Sequence, residues 1–207
     1  MDLFSTSENE NLLPFDGEVM YTSSFLDKEK AGELFTHLLD GIAWHQDEVR
    51  MFGKTIITKR KVAWYGDKPY EYIYSNTRKV ALPWTAHLLE IKEAVEAETG
   101  ILFNSCLLNL YHDGTEGMGW HSDDEKPLGT HPVIASVSLG VMRKFAFKHK
   151  STKQSVSVIL ENGSLLLMQG KTQEAWLHAL PKMAKVKGMR INLTFRKIED
   201  YRLKIEN

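Results

Sequence analysis

Trp120-His121-Ser122-Asp123, with His178 far downstream, is the stretch of this chain with the most chemical promise. On an extended segment, positions i and i+2 point to the same face, so His121 and Asp123 would present an imidazole and a carboxylate side by side. Two histidines and one carboxylate that leave the remaining coordination positions open form the facial triad of non-haem iron(II) oxygenases. Zinc hydrolases also use two histidines and a carboxylate. His-x-Asp is moreover common by chance among surface residues beside turns, so these ligands alone do not fix the reaction.

A second pattern lies near the C-terminus. In Arg190-Ile191-Asn192-Leu193-Thr194-Phe195-Arg196 one face carries Arg, Asn, Thr and Arg and the other Ile, Leu and Phe. The apolar face reads as core. Two arginines opposite it call for something anionic, and a small dicarboxylate would serve because guanidinium forks match carboxylates bidentately. Asn109-Leu110-Tyr111 offers an amide and a phenol at the same alternation. The plainer alternative is a strand at a solvated edge.

The elements that must position these residues follow from periodicity. Asp27 is placed to cap a helix over 28–40, where Ala31, Leu34, Phe35, Leu38 and Leu39 recur at helical spacing. A second helix over 84–98 follows Pro83, carries Leu88, Ile91 and Val95, and stops at Gly100. Beyond Gly100 the period becomes two. Segments 101–111, 133–139, 144–148, 155–160, 164–168 and 190–198 read as strands separated by Gly, Asn, Pro or Lys-rich turns. Two helices ahead of six or more short strands predict a mainly β fold with flanking helices (α+β), a jelly roll, in which two sheets close over each other.

Composition bounds the rest. The chain has 207 residues, 43% of them hydrophobic and 26% charged, which suits one globular domain. No apolar run approaches the ~18 residues of a membrane span, and the acidic N-terminus lacks the layout of a secretory signal. Cys106 is the single cysteine, so no intramolecular disulfide forms and a reducing, intracellular compartment is expected: the cytoplasm, or the nucleus in a eukaryote. Residues 1–14 are expected to be a flexible acidic arm ahead of one domain over 15–207, and nothing resembles an oligomerising repeat, so a monomer is expected. Residues 1–49 carry 11 acidic and 2 basic side chains against 16 and 24 over residues 50–207. Arg50, Lys54, Lys59, Arg60 and Lys61 form one basic stretch, and Arg143, Lys144, Lys148, Lys150 and Lys153 another. This asymmetry is compatible with a working surface for a polyanion, although two solvated loops would read the same way.

From about Phe15 to Ile198 the sequence resembles the AlkB-type dioxygenases. The resemblance is carried by Asn109-Leu-Tyr111, Trp120-His-Ser-Asp-Asp-Glu125, Ile134-Ala-Ser-Val-Ser-Leu-Gly140, Gly163-Ser-Leu-Leu-Leu-Met168 and Arg190-Ile-Asn-Leu-Thr-Phe-Arg196. It implies a double-stranded β-helix, with Fe(II) held by His121, Asp123 and His178 and with 2-oxoglutarate and O2 as co-substrates. It further implies that Arg190, Asn109 and Tyr111 take the distal carboxylate of 2-oxoglutarate. Asn192 and Arg196, with Thr194 on the same face, would lie toward its metal-proximal end. The activity implied is oxidative demethylation of alkylated DNA bases such as 1-methyladenine and 3-methylcytosine.

A base must leave its stack to reach a buried metal, which requires aromatic walls and polar groups at its edge. Tyr72, Tyr74 and Ser75 lie in a segment that, by the resemblance, belongs to a substrate lid over about 45–80, ahead of a catalytic jelly-roll core over about 100–200. Core aromatics are the alternative. Asp124 and Glu125 could accept hydrogen bonds from an exocyclic amine and favour a ring made cationic by alkylation; the alternative is a solvated acidic turn. Phe52, at a basic Gly-containing turn, matches a position that wedges into duplex DNA in the resembling family, with Arg60 nearby on the return strand. An isolated Phe in a hairpin can equally be core. Trp44, Trp64, Trp84 and Trp176 are read as packing residues. Two further readings stay open: a same-fold oxygenase acting on RNA or a protein side chain, and a non-catalytic nucleic-acid-binding jelly roll.

Overall fold

In the computed structural model, residues 10–51, 54–74 and 77–199 are described, with the side chains of 48–56 and 72–79 left aside. In chain order the elements are β1 (Glu18–Thr22), α1 (Lys28–Gly41), β2 (His45–Met51), β3 (Lys54–Gly66), β4 (Glu71–Tyr74), β5 (Thr77–Val80), α2 (Ala86–Thr99), β6 (Ser105–Tyr111) and β7 (Met118–His121). They continue with β8 (Ile134–Gly140), β9 (Arg143–His149), β10 (Ser155–Leu160), β11 (Ser164–Gln169), α3 (Thr172–Ala175), β12 (Trp176–Leu180) and β13 (Arg190–Arg196).

Both long helices form where their signals lie. Asp27 accepts the Lys30 amide at 2.8 Å and caps α1, which buries Ala31, Leu34 and Leu38. Thr85 caps α2, which begins at Ala86 rather than at 84, and Gly100 ends it at φ +70°, a conformation that glycine adopts without strain. The strand expected from Ile101 starts only at Ser105, because the Phe103 amide turns back to Glu96 Oε1 of α2 at 2.7 Å.

The strands build two principal antiparallel sheets. The larger runs β1-β11-β8-β13-β6-β3-β2 and the smaller β10-β9-β12-β7; β4 and β5 form a separate ribbon. Ile191, Leu193 and Phe195 of β13 share one core with Leu34, Leu38, Leu88 and Ile91 of the two helices. A second core, with Leu13, Val19, Ile134, Phe147, Leu166, Met168 and Trp176, joins the two sheets. The molecule is the expected jelly roll with helices on one face. β13 lies in the middle of its sheet, so its polar face points into the space between the sheets and not to a solvated edge.

Of the expected arm, residues 1–9 lie outside the described residues and 10–14 are not loose. Leu13 is buried, and Asn11 Oδ1 accepts the amides of Leu13 and Val19 at 3.1 and 2.8 Å. Among the described residues no helix is long and apolar enough to cross a membrane.

Candidate metal and co-substrate site

His121 ends β7, and His178 of β12 is its direct cross-strand partner, so the ladder itself brings the two imidazoles together. Their ring centroids are 4.3 Å apart. Asp123 is not on the strand, as the spacing suggested, but in the loop that follows it. Its Oδ1 nevertheless lies 3.9 Å from Nε2 of His121 and 3.9 Å from Nε2 of His178. The three donor atoms fall within 4.8 Å of one another, and among the described residues no other histidine, cysteine or carboxylate group of three converges in this way.

The protonation states suit a cation. His121 Nδ1 lies 2.8 Å from the Gly119 carbonyl, which can only accept, so Nδ1 carries the proton and Nε2 offers its lone pair. Burial pushes the pKa of His178 down to about 4, against the attraction of Asp123 and with help from His121, Arg196 and Lys150. The ring is therefore neutral near pH 7. It stacks on Phe145 at 5.5 Å, and its Nδ1 has no hydrogen-bond partner among the described residues. Burial favours the protonated form of Asp123, but the charge of Arg196, which also donates to it, leads the interactions that hold the carboxyl below its usual range. Two imidazoles and an anionic carboxylate fit Fe(II).

The polar face of β13 lies beside this cluster. Register sets Arg190 opposite Tyr111 and Asn192 opposite Asn109, while Ser138 and Ser136 of β8 flank the other side. Arg190 donates to Ser138 Oγ at 2.8 Å and to Asn192 Oδ1 at 2.5 Å. Asn192 Oδ1 also accepts from Ser136, and its Nδ2 donates to Thr194 Oγ1 at 2.7 Å. Arg190 is 2% exposed, and its Nε has no partner among the described residues. Burial, reinforced by the nearby Arg143 and opposed by Tyr111, pushes its pKa down to about 10. A buried guanidinium whose hydrogen-bond partners among the described residues are neutral suits a carboxylate. Arg196 differs, because its anion is already present: Asp123.

Arg143 and Arg60 complete the surroundings. The guanidiniums of Arg60, Arg143 and Arg190 lie 5.9, 5.8 and 5.6 Å from the Tyr111 ring centre. Arg143, assigned to a basic surface stretch by sequence, is fully buried and donates to the carbonyls of Asp113, Glu116 and Pro181. Arg60 lies on β3 as expected, but it is buried, ion-paired with Asp47 and bonded to Met118 Sδ, so it is not held out to a phosphate. Lys150 also leaves the surface stretch, donating to Ser122 Oγ and the Gln173 carbonyl. Lys144 remains exposed, and Lys148 lies 4.5 Å over the ring of exposed Trp120.

Tyr72 and Tyr74 fall on β4, in register with Lys79 and Thr77 of β5. Phe52 and Ser75 lie outside the described residues. Asp124 and Glu125 are exposed in the loop after the triad; Asp124 accepts from Ser122 Oγ, and the charge of Glu125 is felt by Arg196. Trp176 is core, as expected; Trp64 and Trp84 use their indole N–H groups on Ser105 and Asp67.

Comparison with known proteins agrees with this geometry. Residues 18–196 match the family model described as the 2OG-Fe(II) oxygenase superfamily. The DNA oxidative demethylase ALKBH2 of Homo sapiens is 40% identical over 182 residues, covering 84% of this chain and 67% of that protein. The alpha-ketoglutarate-dependent dioxygenase alkB homolog 3 of Bos taurus is 37% identical, with 84% and 64% covered. ALKBH2 of Mus musculus is 38% identical, with 86% and 79% covered. The chain thus spans about two thirds of the length of the first two relatives. A solved structure, that of OsALKBH1, shares the fold with a TM-score of 0.63 at 18% identity, covering 86% of this chain and 97% of the other.

Proposed function

Because the chain belongs to the 2OG-Fe(II) oxygenase superfamily, in its AlkB-type branch, we propose that it removes alkyl groups oxidatively from DNA bases such as 1-methyladenine and 3-methylcytosine. Its cofactor is Fe(II), with 2-oxoglutarate and O2 as co-substrates. The observation that carries the reading is the convergence of His121 Nε2, Asp123 Oδ1 and His178 Nε2 beside a buried Arg190 whose hydrogen-bond partners among the described residues are neutral.

His121, Asp123 and His178 hold the metal. Arg190, oriented by Ser138 and Asn192, receives the distal carboxylate, with Asn109 and Tyr111 on the neighbouring strand. Asn192 and Thr194 line the path toward the metal, and Arg196 borders its proximal end while fixing Asp123. When bound, Fe(II) with O2 supplies the oxidation: 2-oxoglutarate becomes succinate and CO2, one oxygen atom enters the alkyl C–H bond, and the N-hydroxyalkyl product releases an aldehyde to leave N–H. Half-buried Phe145 and buried Phe147 pack against the His178 ring and cover that ligand.

On the substrate side, Tyr72 and Tyr74 wall the base, with Ser75 beside them, Glu125 and Asp124 read its edge, and Phe52 wedges the duplex. Relatives named DNA oxidative demethylase support DNA as the substrate. The protein is proposed to act as a monomer inside the cell, where reducing conditions suit its single, buried thiol, Cys106.

Succinate formation measured with methylated single-stranded DNA, duplex DNA, RNA and a methylated peptide tests the substrate class. Stimulation by the DNA strands is expected. Turnover confined to RNA or peptide would move this enzyme to another substrate.

A further inference from the structure

The loop that carries Asp123 has no strand to hold it. The ladder of β7 ends at the pair His121–His178, and residues 122–125 continue without sheet pairing. The buried amide of Asp123 still needs a partner, and it finds one 50 residues away, in the side chain of Gln173 at 3.0 Å. Gln173 is 2% exposed and sits on α3, whose first residue, Thr172, is itself pinned: its Oγ1 accepts the Glu18 amide at 2.8 Å and donates to the Gln169 carbonyl at 2.6 Å.

Lys150 closes the arrangement. Its backbone amide donates to the Ala175 carbonyl at 2.8 Å, which docks the end of β9 onto α3. Its Nζ then donates in two directions, to the Gln173 carbonyl at 2.9 Å and to Ser122 Oγ at 3.1 Å. The result is a closed ring of contacts from the Asp123 amide through Gln173 and Lys150 to Ser122, the residue between the first two ligands.

We propose that Gln173 and Lys150 act as a clamp that holds Ser122 and Asp123 in the conformation required for metal binding, making both positioning residues for the metal centre. This rests on the assignment of His121, Asp123 and His178 as ligands. A loop ordered before the metal arrives binds it without the entropy cost of fixing the backbone. The expected effect of breaking the clamp is about tenfold in metal affinity, the lower end of the roughly 10–100-fold seen for outer-shell partners, because the contact is to a ligand's backbone and not to its donor atom.

The test uses the full chain and Mn(II), a redox-silent probe, without co-substrate. Gln173→Leu removes the acceptor and Lys150→Met the donor; Gln173→Glu and Lys150→Arg retain them. Calorimetry should show Mn(II) binding weakened about tenfold by each of the first pair and largely recovered in the second. The double variant Gln173→Leu/Lys150→Met should be little worse than either single change, as for residues that act as a unit. Mn(II) affinity within about twofold of the parent in folded Gln173→Leu and Lys150→Met would overturn the clamp. Should those variants not fold, amide exchange of the metal-free parent decides: the Asp123 amide must exchange slowly, and exchange at the rate of an open loop would overturn the proposal. A parent chain that binds no Mn(II), with its Asp123 amide protected, would instead overturn the ligand assignment on which the clamp rests.

Discussion

Arg196 donates to Asp123 through Nε at 3.1 Å and Nη2 at 2.6 Å, and both bonds end on the same oxygen, Oδ2. Oδ1 is thereby left to face Nε2 of both histidines. The arginine sets which carboxylate oxygen is available to a metal and holds the carboxylate ionised without one. Replacing it with Met should weaken Mn(II) binding about tenfold or more, and Arg196→Lys should restore only part, since a single ammonium lacks the fork. Calorimetric titration checks this; parental affinity in Arg196→Met would confine the pair to a structural role.

Arg190→Met should separate binding from folding. The guanidinium is buried and its hydrogen-bond partners among the described residues are neutral, so its removal relieves a desolvation cost and should leave thermal stability of the free protein unchanged or raised. Affinity for 2-oxoglutarate should fall about 100-fold, as for loss of a charged, buried pairing partner. A co-substrate titration by fluorescence, with a melting curve on the same sample, reports both. Undiminished affinity would remove Arg190 from the pocket.

Arg143→Met should do the opposite. Three backbone carbonyls, those of Asp113, Glu116 and Pro181, would lose their donor in a buried setting, at a cost of about 2–4 kcal/mol. Urea unfolding measures it, and a loss under about 0.5 kcal/mol would mean that water replaces the guanidinium.

Gly114→Ala bears on the same junction. An added Cβ would lie 1.9 Å from the Met183 carbonyl oxygen, where the 113–117 and 181–186 loops exchange backbone hydrogen bonds. The loops must part, so stability should drop by at least about 2 kcal/mol. An unchanged urea midpoint would show that the junction yields at little cost.

These contrasts show what the sequence could reveal. The four alternating polar residues of β13 were legible because a period of two survives any register, and the motif fixed which face they take. Asp27 and Gly100 announced their helices by local chemistry alone. β1, β7 and β12 were not singled out: each is four or five residues long, and Trp176–Leu180 follows directly on a helical turn, so only pairing with β9 and β7 makes it a strand. Arg143 read as surface charge beside Lys144, yet it shares parity with Phe145 and Phe147, and that alternation was a usable signal for an inward side chain. Gln173 carried no local signal. Its role exists only through a contact 50 residues away, as does the bond between Lys150 and Ser122 across 28.

The central claim is oxidative dealkylation by the His121–Asp123–His178 centre. Its most direct test is mass spectrometry of an oligonucleotide carrying 1-methyladenine or 3-methylcytosine, after exposure to air with the anaerobically iron-loaded protein and 2-oxoglutarate. Loss of one methylene mass unit is predicted, dependent on both iron and 2-oxoglutarate and absent in His121→Ala and Asp123→Ala, which should keep their DNA affinity. An oligonucleotide of unchanged mass with folded, iron-loaded protein, or equal loss with Asp123→Ala, would contradict it.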